Sequence, residues 1–274
     1  MLAVSCNQDA TDESTLERIK RTGVVRVGFA NEAPYAYVES ESGDLTGEAP
    51  VVARRVFRQL GVGQLEGVLT EFGSLIPGLK ANRFDIIAAG MYITPERALE
   101  ILFSEPTYCI SEAFIVASGN PQSLHSYEDV ANHESARLGV VAGTVERGYA
   151  RSVGVPDERV VVLPDAPSAL EAVRTERIDA YAGTSLTVQY LLDRADDARL
   201  ERAVPFSDPL IDGQTVRGCG AFGIRLEDTD LQEAVNQALA AFLGTPEHLE
   251  LVKPFGFTAA ELPGEVRTAD LIGK

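Results

Sequence analysis

Arg83-Phe84-Asp85-Ile86-Ile87-Ala88-Ala89-Gly90-Met91-Tyr92-Ile93-Thr94-Pro95-Glu96-Arg97 runs from an apolar segment, through a glycine, to the start of a helix. Residues 84–89 are near-continuously apolar, as strands buried on both faces of a parallel sheet are. Gly90 supplies the turn, Thr94 is a favourable N-cap, and Pro95 fits the first helical position. Arg97 then falls in the first helical turn, where a cation opposes the positive end of the helix dipole unless an anion lies nearby. Two readings are open for it: a clamp for a carboxylate ligand, or a surface pairing with Glu100 worth about 0.2–0.5 kcal/mol.

Upstream, the same unit occurs twice more. Residues 24–29 form a strand rich in β-branched residues, after a short helix over 15–22 that Gly23 ends. The loop Ala30-Asn31-Glu32-Ala33-Pro34-Tyr35 follows at its carboxyl end, where ligands of open α/β sheets lie. Ser42-Gly43-Asp44 reads as a hairpin tip, and Val52, Ala53, Val56, Phe57 and Leu60 share one helical face. Residues 68–72 read as a strand, with a helix opening at Gly73. Gly61, Gly63 and Gly67 follow a helix and precede a strand, the reverse of the order a dinucleotide fingerprint requires. Three strand ends therefore present Glu32 and Tyr35, then Phe72, then Tyr92 and Arg97. Any single ring is explained by core packing; their shared end of one sheet points to a site.

Downstream, residues 102–117 are long and strand-like with no helix behind them, which predicts a crossover into a second lobe. That lobe repeats the α/β order, with helices near 127–132, from 145, and over 167–177 and 186–192. Its strands fall at 138–142, 160–163 and 178–182. Gly143-Thr144-Val145-Glu146 stands where its first strand becomes a helix: either a set of free amides for an anion, or a glutamate stabilised by the dipole. Residues 216–224 read as a second long strand bringing the chain back, followed by helices over 231–242 and 246–252. Two crossovers make a hinge and place the site between lobes. The expected lobes are 15–113 with 217–274, and 114–216.

The 274 residues carry 41 acidic and 24 basic side chains, a formal charge of −17, which argues against nucleic acid and anionic membranes as partners. No apolar run is long enough to span a bilayer. Residues 1–14 read as a leader. Leu2-Ala3-Val4-Ser5-Cys6 resembles the end of a bacterial lipoprotein signal, with Cys6 as the lipidation site, although the leucine stands one place early; the alternative is a plain leader. Cys109 and Cys219 remain for the body of the protein, either as a disulfide or as two separate buried thiols. With His125, His133 and His248 at no ligand spacing, neither a metal nor a cofactor is expected.

The chain from about residue 18 to 264 resembles the bacterial solute-binding proteins of polar amino-acid ABC importers. The resemblance rests on residues 24–35, on Phe72-Gly73-Ser74-Leu75-Ile76-Pro77-Gly78-Leu79, and on residues 83–91 with Thr94-Pro95-Glu96-Arg97. It implies an α/β, two-lobed, type II periplasmic-binding-protein-like fold with two hinge crossovers, an extracytoplasmic location, a monomer, and permease subunits as partners. Asn31-Glu32-Ala33-Pro34, Thr70-Glu71-Phe72-Gly73-Ser74, Val140-Val141-Ala142-Gly143 and Asp179-Ala180-Tyr181-Ala182-Gly183-Thr184 are most similar to members that bind ectoine and hydroxyectoine. That similarity implies a cage of Tyr35, Phe72 and Tyr92, with Arg97 on the ligand carboxylate and Glu32 on its ring nitrogens. Gly90 and Val145 would offer backbone groups, and Thr144 and Glu146 would close from the second lobe.

Three departures bear on this. Gly183-Thr184 stands where members binding α-amino acids usually have an aspartate for the ammonium. Tyr35 is often phenylalanine in the relatives, so a ring is kept and a hydroxyl added. Cys109 and Cys219 occupy places where glycine or tyrosine is common, so a disulfide would be particular to this chain. Other ligands remain in play: a polar amino acid, proline or glycine betaine. So does an enzyme, since periplasmic dehydratases acting on prephenate-like acids resemble this fold and Glu32 or Glu146 are acids in reach. The sequence has no nucleophile elbow, metal cluster or cofactor loop to favour it.

Overall fold

The computed structural model describes residues 13–211 and 214–273; Cys6 lies outside them. Two five-stranded sheets organise the chain. In the first, the spatial order is Gln64–Leu69, Val24–Phe29, Ile86–Ile87, Gly223–Ile224, Leu102–Phe103. Its first three strands are parallel and the returning Gly223–Ile224 is antiparallel. The second sheet repeats the plan with Val160–Leu163, Leu138–Val141, Ala180–Thr184, Glu112–Ala117 and Leu200–Arg202. There, too, three parallel strands meet an antiparallel one, Glu112–Ala117. The result is the mixed α/β, two-lobed architecture expected from the sequence, one sheet to each lobe.

Local chemistry accounts for the elements that position the site. Helix Thr15–Thr22 starts with a capping box, Ser14 with Glu17, and stops at Gly23 in the left-handed region. Asp85, fully buried at the foot of the strand Ile86–Ile87, accepts from Arg18 at 2.5 Å and from Arg26 at 2.7 Å. Burial alone would raise its carboxyl, but the hydrogen bonds from Arg26 and Arg18 outweigh that and hold it below its ordinary value. The ionised carboxylate thereby ties helix and strands together, and Thr94 caps Pro95–Ala98 by accepting from the Arg97 amide.

Several boundaries differ from the sequence reading. The strand expected at 68–72 is Gln64–Leu69, an edge strand in register with Val24–Phe29 from Val24 against Gln64 onward. Its largely exposed face and its glycine at position 67 make it read as loop. Phe72 instead opens a single 3-10 turn, Phe72–Ser74, ahead of the helix Leu75–Lys80. The long strand at 102–117 is three strands: Leu102–Phe103, Tyr108–Ile110 and Glu112–Ala117. The chain must leave one sheet before joining the next, and Pro106 cannot donate to a ladder. For the same reason residues 216–224 divide into Gly218–Gly220 and Gly223–Ile224.

Tyr108–Ile110 and Gly218–Gly220 pair with each other, antiparallel, between the two sheets. Cys109 faces Cys219 in this ladder and the two form a disulfide closing a sequence separation of 110. Of the two alternatives left open by the sequence, the disulfide is the one found, and it ties the outgoing crossover to the returning one.

Candidate functional site

Glu32, Tyr35, Phe72, Gly90, Tyr92, Arg97, Thr144, Val145 and Glu146, the nine residues singled out above, all line one small, nearly closed cavity between the lobes, joined by Thr184. Glu32, Tyr35, Phe72, Gly90 and Tyr92 come from the loops and turns after strand ends, and Arg97 from the helix Pro95–Ala98 that follows. Gly90, at φ 68°, makes the turn and lies so close to Tyr35 that an added Cβ would stand 2.6 Å from the ring. Behind the cavity Tyr108 stacks on Tyr35 with centroids 5.0 Å apart and donates its hydroxyl to the Gly90 carbonyl at 2.8 Å.

Arg97 does not pair with Glu100, which instead binds Lys80 at 3.0 Å. Its guanidinium donates to the Tyr92 carbonyl at 2.8 Å and, across the cleft, to the Gly143 carbonyl at 2.9 Å. It lies over the Phe72 ring, 5.6 Å from the centroid. Two of its five N–H donors are thus engaged, leaving three for a ligand. Burial lowers its pKa, opposed by the charge of Glu146.

The carboxyls facing Arg97 are unusual. Glu146 is 5% exposed, and its Oε2 has no hydrogen-bond partner. Burial pushes its pKa up, with hydrogen bonding from Thr144 and the charge of Arg97 acting the other way. Glu32 is pushed up to about 7 by burial first and the charge of Glu146 second, against a hydrogen bond from Thr187. Thr187 Oγ1 lies 3.1 Å from both Glu32 Oε1 and the Ala33 carbonyl. Its single proton satisfies one acceptor at a time; a protonated Glu32 donates to Thr187, which then donates to Ala33. A larger recess, lined by Tyr37, Tyr190 and Arg194, also has Glu32 and Thr187 in its wall.

The family model for bacterial extracellular solute-binding proteins, family 3, matches residues 25–257. The chain is a family 3 bacterial extracellular solute-binding protein. This solute-binding protein is 40% identical over 245 residues to a probable amino-acid ABC transporter periplasmic-binding protein, y4tE, of Sinorhizobium fredii (strain NBRC 101917 / NGR234), covering 89% of this chain and 80% of that one. Among solved structures it is similar to EhuB in complex with hydroxyectoine, at TM-score 0.86 and 35% identity, over 95% of this chain and 98% of that one. It is also similar to the ancestral amino acid-binding protein AncCDT-1, a precursor of cyclohexadienyl dehydratase, at TM-score 0.76 and 26% identity over 88% and 99% of the two chains. The type II fold expected from the sequence is the fold of this family.

Three residues in or behind the wall of the solute-binding protein's cleft escaped the sequence reading. Thr184 was noted for the acid it lacks, not as part of the wall. Thr187 sits one turn into the helix Ser185–Ala195 and gave no signal. Glu112, 2% exposed, lies between the Tyr92 hydroxyl at 3.4 Å and the Tyr127 hydroxyl at 3.3 Å, and burial holds its pKa well above the ordinary value. An acid in the apolar run 108–117 was the one available clue.

The lobes meet closely at Gly73 and Gly143. Gly143 has φ 82°, and a Cβ added there would stand 2.5 Å from Gly73 Cα across the cleft. Gly143→Ala is therefore expected to prop the lobes apart and weaken ligand binding about tenfold or more, roughly 1.4 kcal/mol upward. Small-angle scattering with saturating ligand checks this: wild type should contract, the variant should contract less.

Proposed function

We propose that the protein captures ectoine or 5-hydroxyectoine in the interlobe cavity, outside the cytoplasmic membrane, and delivers it to the permease subunits of an ABC importer. The carrying observation is the composition of the cavity: one arginine with free donors, two carboxyls and three aromatic rings in a single lining. Ectoine is a zwitterion with a ring amidinium beside a carboxylate. Arg97 takes the carboxylate through paired N–H donors, Glu32 and Glu146 accept from the ring N–H groups, and Tyr35, Phe72 and Tyr92 cover the ring. A desolvated cation against aromatic faces contributes about 0.5–2 kcal/mol, and the arginine fork adds directional selectivity. Gly90 and Val145 contribute backbone groups and Thr144 steadies Glu146. The similarity to the hydroxyectoine complex supports this ligand, and Thr184, in place of an aspartate, disfavours an ordinary α-amino acid.

In this reading residues 15–113 with 217–274 move as one lobe against 114–216, hinged where Tyr108–Ile110 and Gly218–Gly220 pair. The protein acts as a monomer without catalysis, held at the membrane through Cys6. Turnover of prephenate or arogenate would contradict the binding-only role.

Proton release provides a test. The ring cation favours ionised Glu32, whose pKa in the ligand-free cavity is about 7. Binding below that pH must then expel a proton. Affinity is expected to rise from pH 5 to pH 7, by at most about tenfold per pH unit for one proton, and to level above. Calorimetry in two buffers of different ionisation enthalpy at pH 6 should show about one proton released; Glu32→Gln should abolish the release. No proton release from the wild type would contradict the role of Glu32.

A further inference from the structure

We propose that Tyr35 makes this site selective for a hydroxylated ring, its phenol hydroxyl being the partner of the hydroxyl that distinguishes 5-hydroxyectoine from ectoine. The inference rests on the ectoine-type ligand proposed above.

Counting polar atoms leads to it. The cavity offers three free N–H donors on Arg97, a Glu146 Oε2 without a partner, and the Glu32 carboxyl. The polar groups of ectoine are one carboxylate and two ring N–H groups; the rest of the molecule is methyl, methylene and ring carbon. Arg97 matches the carboxylate and the two glutamates match the two N–H groups. Tyr35 Oη is then left over. It is buried and has no hydrogen-bond partner of good geometry. Its nearest polar neighbour on the cavity wall is Thr184, whose Oγ1 accepts from the Thr187 amide at 3.3 Å and makes no bond of good geometry to the phenol.

The ring cannot turn this hydroxyl away to water. It is stacked on Tyr108 and edge-packed against Phe257 at 5.9 Å, and its base lies on Gly90. An orphaned buried hydroxyl carries a desolvation penalty that a ligand hydroxyl removes. A site with a fixed polar partner rejects an analogue lacking the matching group more strongly than an apolar pocket rejects an extra one.

The test is calorimetric titration of wild type, Tyr35→Phe and Phe72→Leu with both compounds. Wild type should bind 5-hydroxyectoine about tenfold more tightly than ectoine, the size of one net hydrogen bond. Tyr35→Phe, which keeps the ring and its packing, should bring the two affinities together by weakening 5-hydroxyectoine more than ectoine. Phe72→Leu should weaken both in parallel and leave the ratio intact. Equal affinities in the wild type, or an unchanged ratio in Tyr35→Phe, would overturn the inference while leaving the ectoine-type ligand standing. Failure of both compounds to bind the wild type would overturn that reading and this inference with it.

Discussion

Arg97→Ala is expected to weaken ectoine binding by about a hundredfold to a thousandfold, the 3–4 kcal/mol typical of removing one partner from a desolvated charge pair. The loss has two sources in the structure. The ligand carboxylate forfeits its cationic partner, and the closed state forfeits the bond from the guanidinium to Gly143 at 2.9 Å. Folding should be little affected, because Arg97 is carried on a single short helix, Pro95–Ala98, at the cleft. Arg97→Lys separates charge from geometry: a point charge remains but the fork is lost, so intermediate affinity is expected. Calorimetry with a thermal melt as control measures both variants. Near wild-type affinity in Arg97→Ala would disprove the carboxylate role.

Removing the disulfide should have the largest effect on stability. Cys109 and Cys219 close a loop that contains nearly all of the second lobe, with a sequence separation of 110. Constraining so long a loop in the unfolded chain is worth about 5 kcal/mol. The paired Cys109→Ala and Cys219→Ala variant should therefore melt lower by roughly ten degrees. Reductant should lower the wild type by a similar amount and leave the variant unmoved. Because the bridge also joins the two crossovers, it limits how far the strands Tyr108–Ile110 and Gly218–Gly220 can separate as the lobes open. Identical melting of wild type and variant would show that the bridge contributes nothing.

What could be read in the sequence follows from where each signal lives. A strand buried on both faces, such as Leu138–Val141, declares itself by a continuous apolar run, and helix starts by their caps. The edge strand Gln64–Leu69 is half exposed and interrupted by glycine, so its position was read four residues late. Crossovers misread as single strands broke at points decided by which sheet each half joins, a long-range choice that local pattern does not contain. At the site, residues on strand ends were legible because topology gathers them. Thr187 was not, because its partner Glu32 lies 155 residues away. Glu112 and Glu146 differ in the same way: both are buried acids, yet only Glu146 stood at a turn that marked it as a site.

The central claim is that the cavity is built for a compact ring zwitterion, and calorimetric titration with ectoine, 5-hydroxyectoine, glutamine, proline and glycine betaine addresses it most directly. Dissociation constants of about 10 μM or lower, near −7 kcal/mol, are predicted for the ectoine compounds, with the other three much weaker. An α-amino acid binding tightly where neither ectoine compound binds would contradict it.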